Sequence, residues 1–424
     1  MKRLCILDGC RTPFARVGTT LAEWSAVDLG RQVSQGLLTR TGLDPELIDE
    51  TIFGCVGQPA DAQNIARVIA LRAGIPQSKP ALTVHRNCAS GLEAVLDAHC
   101  RIQAERGSIY LVGGTESMSS MPFYFPTSIA PKLSHLMRAK HPGPRLHAAA
   151  AFRPADFAPI PGLKLGLTDP YTALNMGQTA EILAREYNIS RQAQDAWAAC
   201  SHRRAAAASS TLHAEEVLPL FTPDGQVIRE DNGIRTDSTP ERLARLKPVF
   251  DPRYGSVTAG NSSQITDGAV ALIVGSEEAA AQFGWSPLGW LVDSVTVGCD
   301  PARMGLGPAL AIDALLHRHR LSLDDIDIIE INEAFAAQVL AVLRALSDPI
   351  AARRAGLESP LGEIEPSRLN AAGGAIALGH PVGATGARLV LTALRQLRAR
   401  GGGRALVSLC IGGGQGVAAL LEST

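Results

Sequence analysis

Four reactive or polar side chains lie at or near the ends of short apolar segments of the chain. Cys88 follows ALTVHR, Asn332 follows IDIIEI, Cys410 ends ALVSL, and His380 lies within the glycine-rich stretch GGAIALGHPVGATG. The carboxyl ends of strands in an open α/β sheet line its ligand crevice. We therefore expect these four residues to converge at one site, although they are widely separated in sequence.

Cys88, in the stretch NCASG, is the candidate nucleophile. A position in the first turn of a helix would favour the thiolate, the nucleophilic form of cysteine, through free N–H groups and the helix dipole. The small neighbours Ala89, Ser90 and Gly91 would let an acyl group approach. Taken alone, however, Cys88 is better explained as a buried core residue, because free cysteine packs like a small hydrophobic side chain.

The other three residues supply groups that a thiol nucleophile needs. His380 could take the proton of the thiol and donate a hydrogen bond to an acyl oxygen, with a satisfied core histidine as the alternative. Cys410 could be a general acid and base or a structural cysteine, and the glycines from Gly412 onward could offer N–H groups to an oxyanion. Asn332 could hold a water or a carbonyl oxygen, or cap a helix.

Composition limits the classes of protein to consider. The chain has 424 residues, 46% of them hydrophobic, which predicts two or three domains. Its 40 basic and 41 acidic residues exclude a global field that would recruit nucleic acid or an anionic membrane. The start, MKRLCILDG, has too short an apolar run for a signal peptide, and no later run is long enough to span a bilayer, so we expect a cytoplasmic protein. The eight cysteines are scattered, which predicts free, mostly buried thiols and no metal site.

Short apolar segments alternate with helical patterns, which favours parallel sheets covered by helices. The chain also resembles itself: CASG at 88–91 aligns with GATG at 383–386 at an offset of 295, and 53–54 aligns with 331–332 at an offset of 278. The difference of 17 between these offsets predicts an insertion in the second half, within 347–368. We expect two related α/β halves, with chance similarity between Gly/Ala-rich segments as the alternative.

Residues 123–168 differ in character from the rest of the chain. Six Lys or Arg residues face a single acid, Asp156, and prolines interrupt any long helix. The composition predicts an irregular lid outside the core layers. A solvated basic loop and a surface that binds phosphates, a membrane or a partner chain are both open interpretations.

Five motifs occur in a fixed order along the chain. They are NCASG around Cys88, GNSSQITDGA from Gly260, NEAFA from Asn332, GGAIALGHPVGATG from Gly373 and CIGGGQG from Cys410. Each is weak evidence alone, but their joint presence in this order is specific. Over essentially its full length the chain resembles the thiolases, which are acyl-CoA C-acyltransferases.

The resemblance implies a thiolase fold. We expect two similar βαβαβαββ halves in a five-layered α-β-α-β-α arrangement, with a loop domain inserted in the first half. The predicted domains are 1–122 plus 249–281 for the N-terminal half, 123–248 for the loop domain, and 282–424 for the C-terminal half.

The resemblance also implies a role for each site residue. Cys88 would be acylated, His380 would activate it and help bind the thioester oxygen, and Cys410 would shuttle the proton of the acetyl-CoA methyl carbon. Asn332 would hold a water in one oxyanion hole, and the N–H groups of Cys88 and Gly412 would form the other. Contacts to coenzyme A are expected from three further residues, Arg235, Ala259 and Ser263.

Within the family, the segment 123–168 and the following LKLGLTDPYTALNMGQTAE are similar to the β-subunits of fatty-acid oxidation complexes. Those β-subunits carry His where this chain has Asn332, so a hydratase/dehydrogenase partner chain stays an open prediction. The family otherwise implies a homodimer or homotetramer, with no tightly bound cofactor, coenzyme A and acetyl-CoA being substrates. No nucleic acid is expected, and at most peripheral membrane contact.

Two other functions are compatible with parts of this pattern. A decarboxylating ketosynthase shares the fold and the cysteine at a helix start, but it lacks an acid/base cysteine, so Cys410 and NEAF argue against it. A non-catalytic acyl- or lipid-binding relative would be expected to lose catalytic residues, and here all four are present.

Overall fold

The computed structural model describes residues 3–222 and 225–424. Met1, Lys2, Pro223 and Asp224 fall within the predicted domain ranges but outside the described residues. The strands, in chain order, are β1 (Leu4–Arg11), β2 (Ala15–Arg16), β3 (Glu50–Gly54), β4 (Ala81–Val84), β5 (Ile109–Glu116), β6 (Phe123–Tyr124), β7 (Ile160–Pro161), β8 (Leu220–Phe221), β9 (Val227–Ile228), β10 (Thr266–Ser276), β11 (Gly289–Gly298), β12 (Ile328–Ile331), β13 (Gly403–Ile411) and β14 (Gln415–Ser423).

The helices, in chain order, are α1 (Ala26–Thr41), α2 (Ile65–Ala73), α3 (Ser90–Gln103), α4 (Ile129–Arg138), α5 (Pro142–Ala150), α6 (Gly162–Gly166), α7 (Met176–Glu186), α8 (Arg191–Ala208), α9 (Leu212–Glu216), α10 (Pro240–Leu243), α11 (Glu277–Gln282), α12 (Gly307–His319), α13 (Ala336–Ser347), α14 (Pro349–Ala355), α15 (Ala375–Leu378) and α16 (Val382–Arg400). Short 3-10 helices cover Pro45–Leu47, Pro154–Phe157, Pro301–Leu306 and Leu323–Asp325. None of the described helices is long and apolar enough to cross a membrane.

Local sequence explains where the long helices begin and end. The side chain of Ser25 accepts a hydrogen bond from the N–H of Asp28 at the start of α1, and Gly42 ends that helix with a φ of 66°. Helix α16 likewise ends at Gly401, whose φ is 92°. Serine satisfies a free N–H group at a helix start, and glycine reaches the left-handed region at a helix end without steric cost.

The large sheet has the strand order β12-β13-β14-β11-β1-β10-β5-β3-β4. It is mixed, so the expectation of parallel sheets was only partly right: β3 pairs in parallel with β4 and β5, and β12 with β13. The other ladders are antiparallel, among them β13 with β14. Those two strands are joined by a turn of three residues, 412–414, which is too short for the crossover that parallel pairing needs.

Helices α3 and α16 pack against each other in the middle of the molecule. The main hydrophobic core surrounds them and includes residues from β5, β10, β13 and β14. Helices α1 and α2 cover the outer face of the first part of the sheet, and α12 and α13 cover the outer face of the second part. The layers therefore run α-β-α-β-α, as expected.

The internal repeat is present in the structure. At the offset of 278, the 3-10 helix Pro45–Leu47 and β3 correspond to Leu323–Asp325 and β12, and at the offset of 295, β5 corresponds to β13. Helix α14 lies in the extra segment of the second half. The parallel bridge between Ile329 and Leu369 takes the place that β4 has beside β3. The numbered domain boundaries themselves stay a prediction.

The segment 123–168 is less irregular than its prolines indicated. It contains the short helices α4, α5 and α6 and the strand pair β6–β7. Neither α4 nor α5 has a buried residue, so this segment lies outside the core layers. Asp156 organises it by accepting hydrogen bonds from Ser128, Lys132 and the backbone of Arg153.

Candidate active site

Cys88 lies in a tight turn between β4 and α3. The N–H of Ser90 donates to the carbonyl of Asn87 at 3.0 Å, and the hydroxyl of Ser90 donates to the same carbonyl at 2.7 Å. Asn87 adopts a φ of 42°, a left-handed conformation that Asn tolerates better than most residues. The turn places the thiol two residues before the first residue of α3, at the carboxyl end of β4.

Gly91, the last of the small residues after Cys88, serves helix packing. Ala89, Ser90 and Gly91 are all buried. A Cβ atom on Gly91 would come within 2.8 Å of the carbonyl oxygen of Gly383, and one on Gly386 within 2.4 Å of the backbone nitrogen of Leu92. Glycine at both repeat positions therefore lets α3 and α16 cross at close range.

The surroundings of Cys88 favour the protonated thiol over the thiolate. Burial raises the pKa of this thiol. The backbone N–H groups of Gly412 and of Cys88 itself lower the pKa again, but only in part. The helix start alone therefore does not produce a thiolate, in contrast to the expectation from the dipole, because desolvation is the larger effect. Nucleophilic attack requires a base beside the thiol. The backbone N–H groups of Gly412 and Cys88 both act on the sulfur.

His380 provides a base. It lies between α15 and α16, is buried, and its backbone N–H donates to the carbonyl of Gln264 at 3.2 Å. Burial, reinforced by the positive charge of Arg388, lowers the pKa of His380 to about 3. The imidazole is therefore neutral near pH 7 and can accept a proton.

Asn332 lies directly after β12 and is fully buried. Its backbone N–H donates to the carbonyl of Ser408, and its side-chain Nδ2 lies 3.5 Å from Nε2 of His380. Its Oδ1 is buried and has no hydrogen-bond partner among the described residues. An amide so placed can hold a water or a substrate oxygen beside the histidine.

Cys410 is the penultimate residue of β13 and is completely buried. Its pKa is raised well above the ordinary value, first by burial and then by the neighbouring thiols of Cys88 and Cys299. A thiol with a raised pKa can hand over a proton and take it back from a carbon acid. Gly412 begins the turn between β13 and β14. The other two residues of this turn, Gly413 and Gly414, have φ values of 89° and 82°.

These residues meet at a cavity of about 850 Å³. Cys88, His380, Cys410 and Gly412 all line it, whereas Asn332 is linked to it through His380. Much of the remaining lining is apolar and includes Met118, Met121, Leu163, Leu165, Leu167, Met176 and Met304. Such a cavity suits a substrate with a polar reacting group and an apolar chain.

A second cavity, of about 620 Å³, contains the three residues that the resemblance assigned to coenzyme A. Arg235, Ala259 and Ser263 line it, and Ser263 and His380 also line the first cavity. The two spaces therefore form one route from Arg235 to the site of Cys88. The backbone N–H of Arg235 is held by Nδ1 of His202 at 3.1 Å.

Arg16 also lines the second cavity and was missed in the sequence. Its Nε is buried without a hydrogen-bond partner among the described residues. No carboxylate lines this cavity in the described part of the chain, so Arg16 and Arg235 give it a positive charge. The only sequence signal for Arg16 as a binding residue was its position shortly after β1. That signal is too weak to distinguish Arg16 from other arginines.

Two buried carboxylates that hold the site together were also missed. Glu333, next to Asn332, accepts hydrogen bonds from the side chains of Trp197, Ser201 and Asn370 and from the backbone of Ile376. The sequence signal for Glu333 was a carboxylate inside the apolar NEAFA motif. An acid that is buried in such a segment needs several hydrogen-bond donors around it.

Glu116 ends β5 and lines the first cavity. It accepts hydrogen bonds from the backbone N–H groups of Gly57 and Gly383, each at 2.8 Å, and from Val56 at 3.2 Å. It thereby ties the first half of the chain to the start of α16, the helix that follows His380. The available sequence signal was an acid at the end of a segment that begins with the apolar run IYLV.

Comparisons with known proteins agree with this geometry. The family models described as "Thiolase, N-terminal domain" and "Thiolase, C-terminal domain" match residues 4–278 and 285–423. A 3-ketoacyl-CoA thiolase of Yersinia enterocolitica is 41% identical, with 99% of this chain and 97% of the relative covered. The corresponding protein of Pectobacterium atrosepticum is 40% identical over 100% of this chain and 97% of its own length.

Solved structures give the same result. The Bacillus anthracis acetyl-CoA acetyltransferase has a TM-score of 0.86 and 35% identity, covering 100% of this chain and 99% of that one. Human mitochondrial 3-ketoacyl-CoA thiolase in complex with CoA has a TM-score of 0.85 and 36% identity, covering 100% and 98%. Fold, motifs and full-length similarity lead to one conclusion: the chain belongs to the thiolase family.

Proposed function

We propose that this chain is a 3-oxoacyl-CoA thiolase that transfers an acyl group between coenzyme A and acetyl-CoA through an acyl-enzyme on Cys88. The observation that carries the proposal is the convergence of two thiols, a neutral imidazole and the N–H of Gly412 on one cavity. A nucleophile, a base and oxyanion donors suffice for acyl transfer, and the second thiol adds the acid needed to protonate carbon.

In the first half-reaction, His380 takes the proton of Cys88, and the sulfur attacks the 3-keto carbon of the substrate. The N–H groups of Cys88 and Gly412, which act on the sulfur, would stabilise the oxyanion that forms beside it. The carbon–carbon bond then breaks, and the acetyl-CoA carbanion takes a proton from Cys410. Acetyl-CoA leaves, and the acyl group stays on Cys88 as a thioester.

In the second half-reaction, coenzyme A resolves the acyl-enzyme. Its thiol gives a proton to the Cys410 thiolate and attacks the acyl carbon, and His380 returns its proton to the departing sulfur of Cys88. Earlier, in the first half-reaction, the thioester oxygen of the leaving acetyl-CoA would be held by the protonated Nε2 of His380 and by a water on Asn332. Run in reverse, the same steps form a carbon–carbon bond in a Claisen condensation, and the sequence of two half-reactions is ping-pong.

Coenzyme A would enter through the second cavity. The guanidinium of Arg235 at the exposed mouth suits a phosphate, Ala259 and Ser263 lie along the route, and Arg16 adds a second positive charge. The coenzyme is a substrate in this scheme and no tightly bound cofactor takes part.

The alternatives have less support. A decarboxylating ketosynthase needs no second thiol, whereas Cys410 lines the cavity beside Cys88. A non-catalytic acyl-binding protein needs no base, whereas His380 is held neutral in the same cavity. The relatives that match over the full length are named 3-ketoacyl-CoA thiolases.

The test is an intact-mass measurement after mixing the protein with a 3-oxoacyl-CoA in the absence of free coenzyme A. The wild type should gain the mass of one acyl group, and Cys88→Ala should gain none. Cys200→Ala is the matched control, because Cys200 is a partly exposed thiol on α8 outside the site. No adduct on the wild type, or an undiminished adduct in Cys88→Ala, would refute the proposal.

We further propose a homodimer or homotetramer. Strand β4 forms one edge of the large sheet and has only β3 as a neighbour among the described strands. An edge strand left free is a place for another chain to pair. Sedimentation equilibrium at several concentrations distinguishes dimer and tetramer from a monomer, which would contradict the proposal.

The role of the basic segment 123–168 stays open between a solvated loop and a surface for a partner chain or anionic lipid. Lys132 is engaged by Asp156 at 2.6 Å and is unsuitable for a test of the surface charge. Neutralising Arg138, Lys140 and Arg145 together leaves that ion pair intact. A change in KM for coenzyme A, in sedimentation or in recovery with membranes would exclude the solvated loop.

A further inference from the structure

The hydroxyl of Thr385 lies beside the catalytic imidazole. Its Oγ1 is 2.6 Å from Nδ1 of His380 and 3.0 Å from the carbonyl oxygen of Pro381. Thr385 is completely buried on the first turn of α16, so no solvent competes for these contacts. A hydroxyl has one proton to donate and can accept another at its lone pairs.

These two contacts assign donor and acceptor. A carbonyl oxygen only accepts, so the hydroxyl proton of Thr385 is directed to Pro381. The oxygen of Thr385 is then left to accept from His380, which requires a proton on Nδ1. The tautomer of a neutral histidine is set in this way by the hydrogen bond of one ring nitrogen.

The contact at the other ring nitrogen fits this assignment. Nε2 of His380 faces Nδ2 of Asn332 at 3.5 Å, and an amide NH₂ group only donates. Nε2 is therefore an acceptor, with its lone pair on the side of the ring next to Asn332. Because the ring is buried and neutral, one nitrogen carries the proton and the other is the base.

The internal repeat has a hydroxyl at the equivalent position of the first half. At the offset of 295, Thr385 corresponds to Ser90. In the first half, the hydroxyl of Ser90 donates to the carbonyl of Asn87 and accepts from the backbone N–H of Arg86. In the second half, the equivalent hydroxyl still reaches back to a carbonyl, but it accepts from a histidine instead of from the backbone.

We propose that Thr385 is a positioning residue that fixes His380 as the Nδ1–H tautomer and so keeps Nε2 unprotonated and able to take the proton of Cys88. The acylation readout of this inference rests on the proposed function, whereas the tautomer is a property of the resting protein. A valine at this position keeps the shape of the side chain and removes the hydroxyl, and a serine keeps the hydroxyl.

The experiment compares Thr385→Val, Thr385→Ser and the matched control Thr392→Val. Thr392 is also buried on α16, and its hydroxyl has no partner among the described residues. The rate of Cys88 acylation by acetyl-CoA should fall by about 10- to 100-fold in Thr385→Val, the usual effect of losing a group that orients a histidine. Thr385→Ser and Thr392→Val should stay within about threefold of the wild type.

The second readout is the ¹⁵N spectrum of histidine-labelled protein, in which protonated and unprotonated ring nitrogens are well separated. Signals that vanish in His380→Gln belong to His380. In the wild type they should show a protonated Nδ1 and an unprotonated Nε2, and in Thr385→Val this pattern should shift towards the other tautomer. A wild type with a protonated Nε2, or a Thr385→Val variant that acylates as fast as Thr392→Val, would overturn the inference.

The two readouts separate failure of this inference from failure of the proposed function. If the wild type is not acylated but His380 has the stated tautomer, the proposed function fails and the positioning role stands. If acylation is normal but His380 has the other tautomer, the proposed function stands and the positioning role fails.

Discussion

The side-chain amide of Asn87 donates a 2.7 Å hydrogen bond to the carbonyl oxygen of Gly412. This bond joins the turn that carries Cys88 to the turn that follows Cys410, two segments 325 residues apart. The N–H of the same Gly412 acts on the sulfur of Cys88. The candidate oxyanion hole is therefore built across the two halves, and Asn87 holds them in register.

Removing this clamp should slow acylation. Asn87→Gly keeps the left-handed backbone of the turn available and removes only the amide. Gly412 then loses a fixed orientation, and the rate of Cys88 acylation should fall by roughly 10- to 100-fold, as expected when one oxyanion donor is weakened. The rate is measured by intact mass at short times after mixing with acetyl-CoA.

Asn188→Gly is the matched control, since Asn188 also has a positive φ, 48°, but lies after α7 and outside both cavities. It should acylate like the wild type. Equal rates for the two variants would mean that Asn87 has no part in the site.

Cys410→Ala should separate the two chemical steps. It should retain acylation of Cys88 by a simple acyl-CoA, because that step needs only the nucleophile, the base and the oxyanion donors. It should lose cleavage or formation of the carbon–carbon bond by a factor of at least about 100, because alanine has no proton to exchange with the carbanion. The two activities are measured by intact mass and by consumption of 3-oxoacyl-CoA.

Cys299→Ala tests whether any nearby thiol would serve. Cys299 lies close enough to Cys410 for its charge to raise the pKa of that thiol, but it does not line the main cavity. Both activities should persist in this variant. A parallel loss of both activities in Cys410→Ala would contradict the assigned division of labour.

Arg16→Ala should weaken the use of coenzyme A but not of pantetheine, which has the same thiol and no phosphates. A charge-assisted hydrogen bond contributes about 1.5 to 3 kcal/mol, so KM for coenzyme A should rise roughly 10- to 100-fold. KM for pantetheine should stay within about twofold, because the cation has no phosphate to bind.

Arg31→Ala, on α1, removes the same charge from outside both cavities and should change neither constant. An increase in KM for pantetheine equal to that for coenzyme A would show that Arg16 acts on the structure of the cavity and not on phosphate.

Acid should destabilise the protein partly through His202. Burial, followed by the charge of Arg235, lowers the pKa of His202 from 6.5 to about 4. Between those values the unfolded chain binds a proton that the folded protein excludes, so stability is present above pH 6.5 and is lost as pH falls towards 4. From pH 7 to pH 5 this one group should cost roughly 2 kcal/mol of the free energy of unfolding.

Denaturant unfolding of the wild type and His202→Gln at these two pH values measures the contribution. His380 acts in the same direction and is present in both proteins, so the difference in slope belongs to His202. His147→Gln, an exposed histidine on α5, should keep the wild-type slope. A slope in His202→Gln as steep as in the wild type would be the contrary result.

Much of the site was predictable because its signals are local. The end of a strand, a glycine-rich turn or a helix start is set by neighbouring residues, so the segments around Cys88, His380 and Cys410 were identified from sequence alone. Order and spacing of the motifs then identified the family. The internal repeat was also visible, because similar segments adopt similar local structure in both halves.

Other features depend on contacts between distant segments. Gly91, three residues after Cys88, packs against α16, and desolvation in the folded site raises the pKa of the Cys88 thiol. The mixed sheet follows from which strands become neighbours, not from the pattern within any strand. None of these properties exists until the two halves pack together.

The sequence by itself determined the fold family, the reactive groups and their order along the chain, because side-chain chemistry and short-range backbone preferences are written residue by residue. Tertiary structure alone decided which proton each group holds. Burial sets the pKa values of Cys88 and His380, Asn87 fixes Gly412 across the interface of the halves, and the hydroxyl of Thr385 faces one nitrogen of one ring. Hydrogen bonds of this kind depend on tenths of an ångström, which only the packed chain provides.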